Sequence, residues 1–133
     1  MKRVQVQQIY DASDITNTDI AIASTATVYT PAFKLSGRDN FCLSYQAADS
    51  GTPDLLIQLQ QGYTLPGTEG STDDDWVIPE GIANIETNLV TKTRHHKQIT
   101  PVTLPYARLK ITGNAANPAT TTIDIKVSME EEF

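Results

Sequence analysis

The sequence has little of what disulfide scaffolds, metal centres and membrane spans depend on. It carries one cysteine, Cys42, and two histidines among 133 residues. A single cysteine excludes an intrachain disulfide and any multi-cysteine metal site, and its position beside Phe41 predicts a small, buried, unreactive side chain. Apolar runs of about three residues fall far short of the roughly 20 that a membrane-spanning helix needs. We therefore expect no membrane segment, and no signal peptide at 1–8.

Charge is also scarce, and basic charge above all. Charged residues make up 20% of the chain, and the formal net charge is −6. Binding to a nucleic-acid backbone depends on clustered lysines and arginines that release counterions. The composition therefore argues against a nucleic-acid partner.

Helical periodicity is missing as well. Short stretches instead alternate apolar and polar residues, with turn formers every eight to twelve residues or so, which is typical of about eight strands in a β-sandwich. We predict an all-β protein: an antiparallel, jelly-roll-like sandwich with a single domain at 19–133. At this length a domain buries roughly two-thirds of its unfolded surface, enough for a core of its own.

Two pairs of alternating stretches are predicted to form hairpins. One pair is 104–112 and 120–129, joined by the turn formers of 113–119. In that pairing Asp124 is expected opposite Arg108 or Lys110 on the solvent face, a contact that stabilises by about 0.2–1 kcal/mol. The second pair is 41–47 and 55–60, joined by a polar loop.

The N-terminal residues 1–18 are predicted to form an arm. They hold apolar residues without helix or turn signals, and an extended segment with unpaired backbone groups tends to pair with a neighbouring sheet edge. The alternatives are a frayed terminus or a first edge strand of the same domain. Assembly contacts are predicted at Val4, Val6, Ile9, Tyr10 and Ile15.

Few residues invite a chemical role, and each has a simpler interpretation. The run Asp73–Asp75 offers oxygen ligands for Ca²⁺, but its spacing lacks the alternation of a calcium loop, so a solvated loop is expected. Adjacent residues on a strand face opposite ways, so His95 and His96 make a poor metal pair. Nothing in the sequence orients Glu80 toward Glu86. We expect no enzyme, no metal and no cofactor.

Three aromatic residues are candidates for sugar stacking. Tyr63, Trp76 and Tyr106 could form a platform of the kind seen in carbohydrate-binding modules, which are often β-sandwiches of this length. The alternative for Trp76 is a place in the core, at the start of a strand that continues with Val77 and Ile78.

Two stretches of the chain resemble a family of known proteins. The ending 105–114, its Asn-Pro turn and 122–129 are similar to the ends of small structural proteins in the virions of tailed bacteriophages. The segment 50–54 leading into 55–60 has the same character, and the likeness covers roughly residues 25–129 in strand spacing and in Thr and Gln content. The family has no catalytic residues to carry over.

The resemblance implies a head decoration or cement protein that binds the capsid surface, with the major capsid protein as partner. It implies a homo-oligomer, a trimer, located in the virion and made in the host cytoplasm. Two alternatives remain open. One is a carbohydrate-binding or receptor-binding module, and the other is a head–tail or tail adaptor.

Overall fold

The computed structural model describes residues 2–12, 14, 16–35, 41–63, 76, 78, 83–99 and 105–132. Within those residues the secondary structure is all strand, with no helix. The strands are β1 (Lys2–Ile9), β2 (Ile20–Ala21), β3 (Thr27–Tyr29), β4 (Phe33–Lys34), β5 (Phe41–Ala48), β6 (Leu55–Gly62), β7 (Glu86–Leu89), β8 (His95–Ile99), β9 (Tyr106–Gly113) and β10 (Thr122–Glu132).

The strands form two five-stranded antiparallel sheets. Sheet one has the order β1-β10-β5-β8, with β2 also paired to β10, and sheet two has the order β3-β9-β6-β7, with β4 also paired to β9. Since β2 continues the path of β1, and β4 that of β3, the sandwich has eight strand positions. Their order is that of a jelly roll, two four-position sheets built from Greek keys, and the predicted fold class is confirmed.

The core fills the space between the two sheets. Inward positions of sheet one are apolar along β5 and β10, and those of sheet two are apolar along β6 and β9. Strands that alternate in this way present one face to the core and one to solvent. The deepest of these side chains are Leu43, Tyr45, Leu55, Ile57, Leu109, Ile111, Ile123, Ile125 and Val127.

Neither predicted hairpin forms. Strand β9 pairs with β3, β4 and β6 in sheet two, whereas β10 pairs with β1, β2 and β5 in sheet one. Strands β5 and β6 are likewise divided between the sheets. Each connection is an arch, a segment that passes from one sheet to the other. Alternation shows which face of a strand is buried but not which strand lies beside it, so hairpins and arches share one pattern.

The predicted charge pair across the hairpin is therefore also wrong. Asp124 pairs in register with Gln46 of β5, and its carboxylate accepts a hydrogen bond from Arg94 at 2.8 Å. Arg108 belongs to the other sheet, and it is buried rather than exposed to solvent.

The arch at 114–121 is held closed by buried polar side chains. The Asn117 amide donates to the carbonyl of Ile22 at 3.0 Å, and its oxygen accepts from the backbone N–H of Asp54 at 3.0 Å. Gly113 lies close to a neighbouring turn, since an added Cβ would lie 2.3 Å from the Ala23 carbonyl oxygen. These contacts join loops of both sheets, as an arch requires and a two-strand hairpin would not.

Residues 2–9 of the predicted arm form β1, an edge strand of the chain's own sheet. It pairs antiparallel with β10 in an unbroken register from Lys2 opposite Glu132 to Ile9 opposite Ile125. Ile9 is 2% exposed and belongs to the core. The placement corresponds to the alternative of an edge strand, and any role of this strand in assembly remains a prediction.

We expect Leu109→Ala and Ile125→Ala each to lower the free energy of unfolding by about 2–5 kcal/mol, because each truncation leaves a cavity between the sheets. Chemical denaturation measures the loss. Val6→Ala, at an exposed site of β1, is the control and should change stability by less than about 0.5 kcal/mol. Losses below about 1 kcal/mol for both core variants would contradict the assigned faces.

Candidate assembly surface

The outer part of β1 carries apolar side chains on the solvent face of sheet one. Val4 and Val6 are 67% and 64% exposed. Residues opposite each other on antiparallel strands share a face, and Val6 lies opposite Ser128, on the face of β10 that turns away from the core. Gln5 and Gln7 occupy the other face of β1 and are also exposed. This half of β1 thus has valine outward and glutamine inward, the reverse of a core strand.

The β1 edge, residues 2–9, is the least protected of the four edges in the part of the chain that the structure describes. Proteins discourage edge pairing with short strands, charges, prolines and bulges. Strand β8 is short and holds Lys97, β3 and β4 are separated by Pro31, and β7 has a register shift opposite Leu55–Ile57. The β1 edge extends over eight residues without proline or bulge, and its two charged residues, Lys2 and Arg3, are confined to its first two positions.

A polar network on the same face fixes β1 to the sheet. The Gln8 amide donates to one oxygen of Asp124 at 2.7 Å, and Arg94 donates to the other oxygen at 2.8 Å. Arg94 also reaches the Ser44 hydroxyl at 3.4 Å. Partial burial raises the pKa of Asp124, but the hydrogen bonds from Gln8 and Arg94 outweigh it and leave the pKa below its usual value. The network joins β1, β10 and β5 through Gln8, Asp124 and Ser44, and Arg94 lies immediately before β8.

Of the other residues predicted for assembly, Tyr10 is 39% exposed just beyond the β1 edge. Ile9 is in the core and is not accessible to a partner while β1 is in place. Ile15 lies outside the described residues. The structure thus leaves Val4, Val6 and Tyr10 on the surface.

The three predicted ligand aromatics all lie near Gly62 of β6. Tyr63 follows Gly62, Tyr106 lies opposite it on β9, and the Trp76 ring lies against it, 2.8 Å from where a Cβ would be. Their exposures differ widely: Tyr63 is 72% exposed, whereas Trp76 is 3% exposed. In this conformation the Trp76 ring has no face available for a sugar.

The Trp76 ring instead covers a buried arginine. The Arg108 guanidinium lies against two rings, with its central carbon 4.5 Å from the Tyr29 centroid and 5.0 Å from that of Trp76. Its Nε donates to Gln60 at 2.9 Å. Burying a charge costs several kcal/mol, and desolvated cation–π contacts return about 2 kcal/mol. Tyr29, Trp76 and Gln60 are thus among the groups that make this burial tolerable.

A second polar cluster lies at the opposite side of the sandwich, between β7 and β8. The Tyr45 hydroxyl donates to Glu86 at 2.6 Å, and Lys97 lies 3.7 Å from the same carboxylate oxygen. Burial, followed by the bond to Glu86 and its negative charge, raises the pKa of Tyr45 far above the usual range. The cluster links the edges of the two sheets.

The two histidines lie on opposite faces of β8. The His95 ring stacks on Tyr45 with centroids 5.4 Å apart and bonds the Thr91 hydroxyl at 2.7 Å, while His96 faces solvent. Among the described residues no three His, Cys, Asp or Glu side chains gather as metal ligands. The run Asp73–Asp75 and Glu80 lie outside those residues. Cys42 is half-buried on the outer face of β5.

Carboxylates at the arch end of the sandwich act as hydrogen-bond acceptors. Asp49 accepts from Thr121 at 2.6 Å and from Thr120 at 2.9 Å, and the Thr121 bond is the main reason that its pKa falls to about 2. Asp54 accepts from Asn114 and Asn88, and these bonds lower its pKa as well. These carboxylates join the two arches.

Sequence reasoning missed three of these features: the Arg94–Asp124 pair, the Tyr45–Glu86 bond and the buried Arg108. The partners in each case are distant in the chain, and alternation alone does not bring them together. One signal was present for Arg108. A glycine at the end of β6 leaves the strand without a side chain there. The ring of the single tryptophan can pack into that space.

Comparison with known proteins adds little. No family model matches the chain, and no curated protein matches it. One solved structure with similarity is the catalytic domain of a GH87 alpha-1,3-glucanase in complex with tetrasaccharides, at a TM-score of 0.35 and 14% identity over 98% of this chain. The chain spans 28% of that chain's length. The described residues include no helix long and apolar enough to cross a membrane.

We expect Gly62→Ala to displace the Trp76 ring, since the new methyl group would lie 2.8 Å from its Cε2 atom. The single tryptophan makes the fluorescence emission specific to this site, and the emission should shift to the red. We expect this overpacking to lower the free energy of unfolding by about 1–3 kcal/mol. Gly51→Ala is the matched control, because its methyl group would lie 3.6 Å from Pro118. Equal spectra for the two variants would contradict the packing.

We expect stability to fall as the pH is lowered toward 2, in part through Asp49. Its pKa is about 2 in the fold against an ordinary 3.8, so between these values the unfolded chain binds the proton that the folded chain does not. Denaturation from about pH 5 to pH 2 measures the decline. Asp49→Asn should flatten it. Parallel curves for wild type and Asp49→Asn would refute this role.

Proposed function

We propose that the protein is a non-enzymatic structural protein that binds the shell of a tailed-phage virion, as a head decoration or cement protein. The observation that carries the proposal is the β1 edge with Val4 and Val6 on its solvent face. An exposed strand of this length with apolar residues tends to pair with another chain. The resemblance of the sequence to small virion proteins supplies the class of partner, the major capsid protein.

The rest of the molecule supports an unreactive building block. Its polar clusters are occupied in holding the fold together: Asp124 and Arg94 within sheet one, Glu86 and Lys97 between the sheet edges, and Asp49 at the arches. None of them needs a substrate to explain it. A role in the virion, assembled from protein made in the host cytoplasm, uses stability and surface contacts rather than chemistry.

A shell-bound protein of this kind meets its partner many times over a regular lattice, so it can bind weakly at each site. Exposed valines suit such a contact, because burying one fully contributes about 1.5–3 kcal/mol. Assembly as a homo-oligomer would multiply the contacts per particle. The trimer that the resemblance implies remains a prediction.

We expect the purified protein to co-sediment in saturable fashion with empty heads assembled from the major capsid protein of the same phage. The double variant V4T/V6T keeps the shape of the two side chains but adds hydroxyl groups, so it should bind more weakly. The matched control is V90T, at a valine that is 47% exposed away from the β1 edge.

Four outcomes would count against this proposal. Wild-type protein that stays in the supernatant excludes shell binding. Saturable binding on a glycan array, with none to heads, favours the carbohydrate-binding or receptor-binding module. Binding to isolated tails or portal complexes instead of closed heads favours an adaptor. Equal loss of binding in V4T/V6T and V90T would remove the β1 edge from the contact.

A further inference from the structure

We infer that the β1 edge is the contact between two copies of this chain, which pair antiparallel about a twofold axis at Gln5. Sheet one of each copy would then join into one continuous sheet, with the two β1 strands at its centre. The inference concerns contact between copies and does not depend on shell binding. It starts from the edge comparison: of the described edges, β1 alone is both long and uninterrupted.

The side-chain pattern of β1 is self-complementary in one register. With Gln5 opposite Gln5 of the second copy, Val4 lies opposite Val6 of that copy, and the symmetry repeats the pair. Opposite residues on antiparallel strands share a face, so four valines meet on the outer face of the joined sheet. On the other face the two glutamines at position 5 meet, and side-chain amides both donate and accept hydrogen bonds.

Neighbouring registers are worse. A shift that places Val4 on the axis leaves Val6 opposite Lys2, and a shift that places Val6 there leaves Val4 opposite Gln8. In each of these registers, one of the two valines lies opposite a polar residue. A shift by a single residue would place the valines of one copy opposite the glutamines of the other, because side chains alternate with period two. The register centred on Gln5 is thus favoured by the sequence of the strand itself.

The basic residues of the two copies stay apart in this register. Lys2 and Arg3 lie opposite Gln8 and Gln7 of the second copy. Their symmetry mates are therefore four to six residues away along the strand, or about 13–20 Å at 3.3 Å per residue. Because the screening length is about 8 Å at physiological salt, repulsion between them is small. Part of the net charge of −6 lies next to this contact, since Lys2, Arg3 and Val4 pair in register with Glu132, Glu131 and Glu130 of β10.

The symmetry of the contact limits the assembly. A twofold interface uses the same patch on both copies and closes at two. A trimer would need a second surface. One strand pair also buries less than the 1,200 Å² or so of a standard stable interface, so we expect a reversible dimer that forms with rising concentration.

Cysteine cross-linking tests the axis. In a Cys42→Ser background, Gln5→Cys places two thiols opposite each other in the inferred dimer, whereas Gln7→Cys places each thiol opposite Arg3. Both positions are exposed, on the same face and two residues apart. Under mild oxidation we expect Gln5→Cys to form a covalent dimer at least about tenfold faster, since pairing holds its thiols at millimolar effective concentration. Equal rates would overturn the inference.

Charge substitution tests the register in solution. The variant V4K/V6K places lysines opposite lysines and should be monomeric by sedimentation equilibrium at concentrations where wild type is dimeric. The variant V4K/V6E carries the same number of charged substitutions but places lysine opposite glutamate in both pairs, so its dimer should be restored. Thermal melts of all variants exclude unfolding as the cause of monomer formation.

The remaining outcomes separate this inference from the proposed function. Wild-type protein that is monomeric at all concentrations yet binds heads overturns the twofold contact and leaves shell binding intact, with a strand of the shell as the partner of β1. A trimer that persists in V4K/V6K likewise overturns it. A dimer that cross-links through Gln5→Cys but does not bind heads leaves the contact standing and removes the proposed function.

Discussion

The packing of the two sheets against each other is the interaction on which the rest of the structure depends. Neither sheet has another place to bury its apolar face, and the core is built from both: Leu109 and Ile111 on one side, Ile125 and Val127 on the other. Once these faces meet, the outward face of each strand must be polar or covered. Most of the polar clusters described above lie on those outward faces or at the ends and edges where the two sheets are joined.

Arg108 is the exception that the packing had to accommodate. It occupies an outward position of β9, and an uncovered arginine there would simply be solvated. Instead the Trp76 ring lies over Gly62 and closes the site, and the Tyr29 ring also contacts the guanidinium. The cost of burying the charge is met by contacts that depend on one another: removing the ring uncovers the arginine, and filling the space at Gly62 removes the ring. The outer face of sheet two is therefore closed by packed side chains at Arg108, whereas the outer face of sheet one leaves Val4 and Val6 exposed.

The fold class was accessible from the sequence because it depends on alternation, and alternation is a property of each strand alone. The partners of each strand were not accessible in this way. The segments at β9 and β10 looked like a hairpin because both have one apolar face, and two strands that face each other across a core have the same pattern as two that lie side by side. The feature that decides between them is the loop. Gly113 and Asn117 fit a particular turn at Ala23 and a particular carbonyl at Ile22, and no local rule connects residues so far apart.

The candidate site was predictable for a related reason, and to a similar degree. Val4 and Val6 stood out because they are apolar where nothing local required it, and the structure leaves both exposed. Ile9 carried the same signal yet belongs to the core. Gln5 and Gln7, on the same face of β1, are exposed, whereas Ile9 lies where the other sheet covers that face. The inversion along this one strand, from valine outward to isoleucine inward, separates its two roles. Its C-terminal end holds the strand in the sandwich, and its N-terminal half lies at an edge that pairs with no further strand among the described residues.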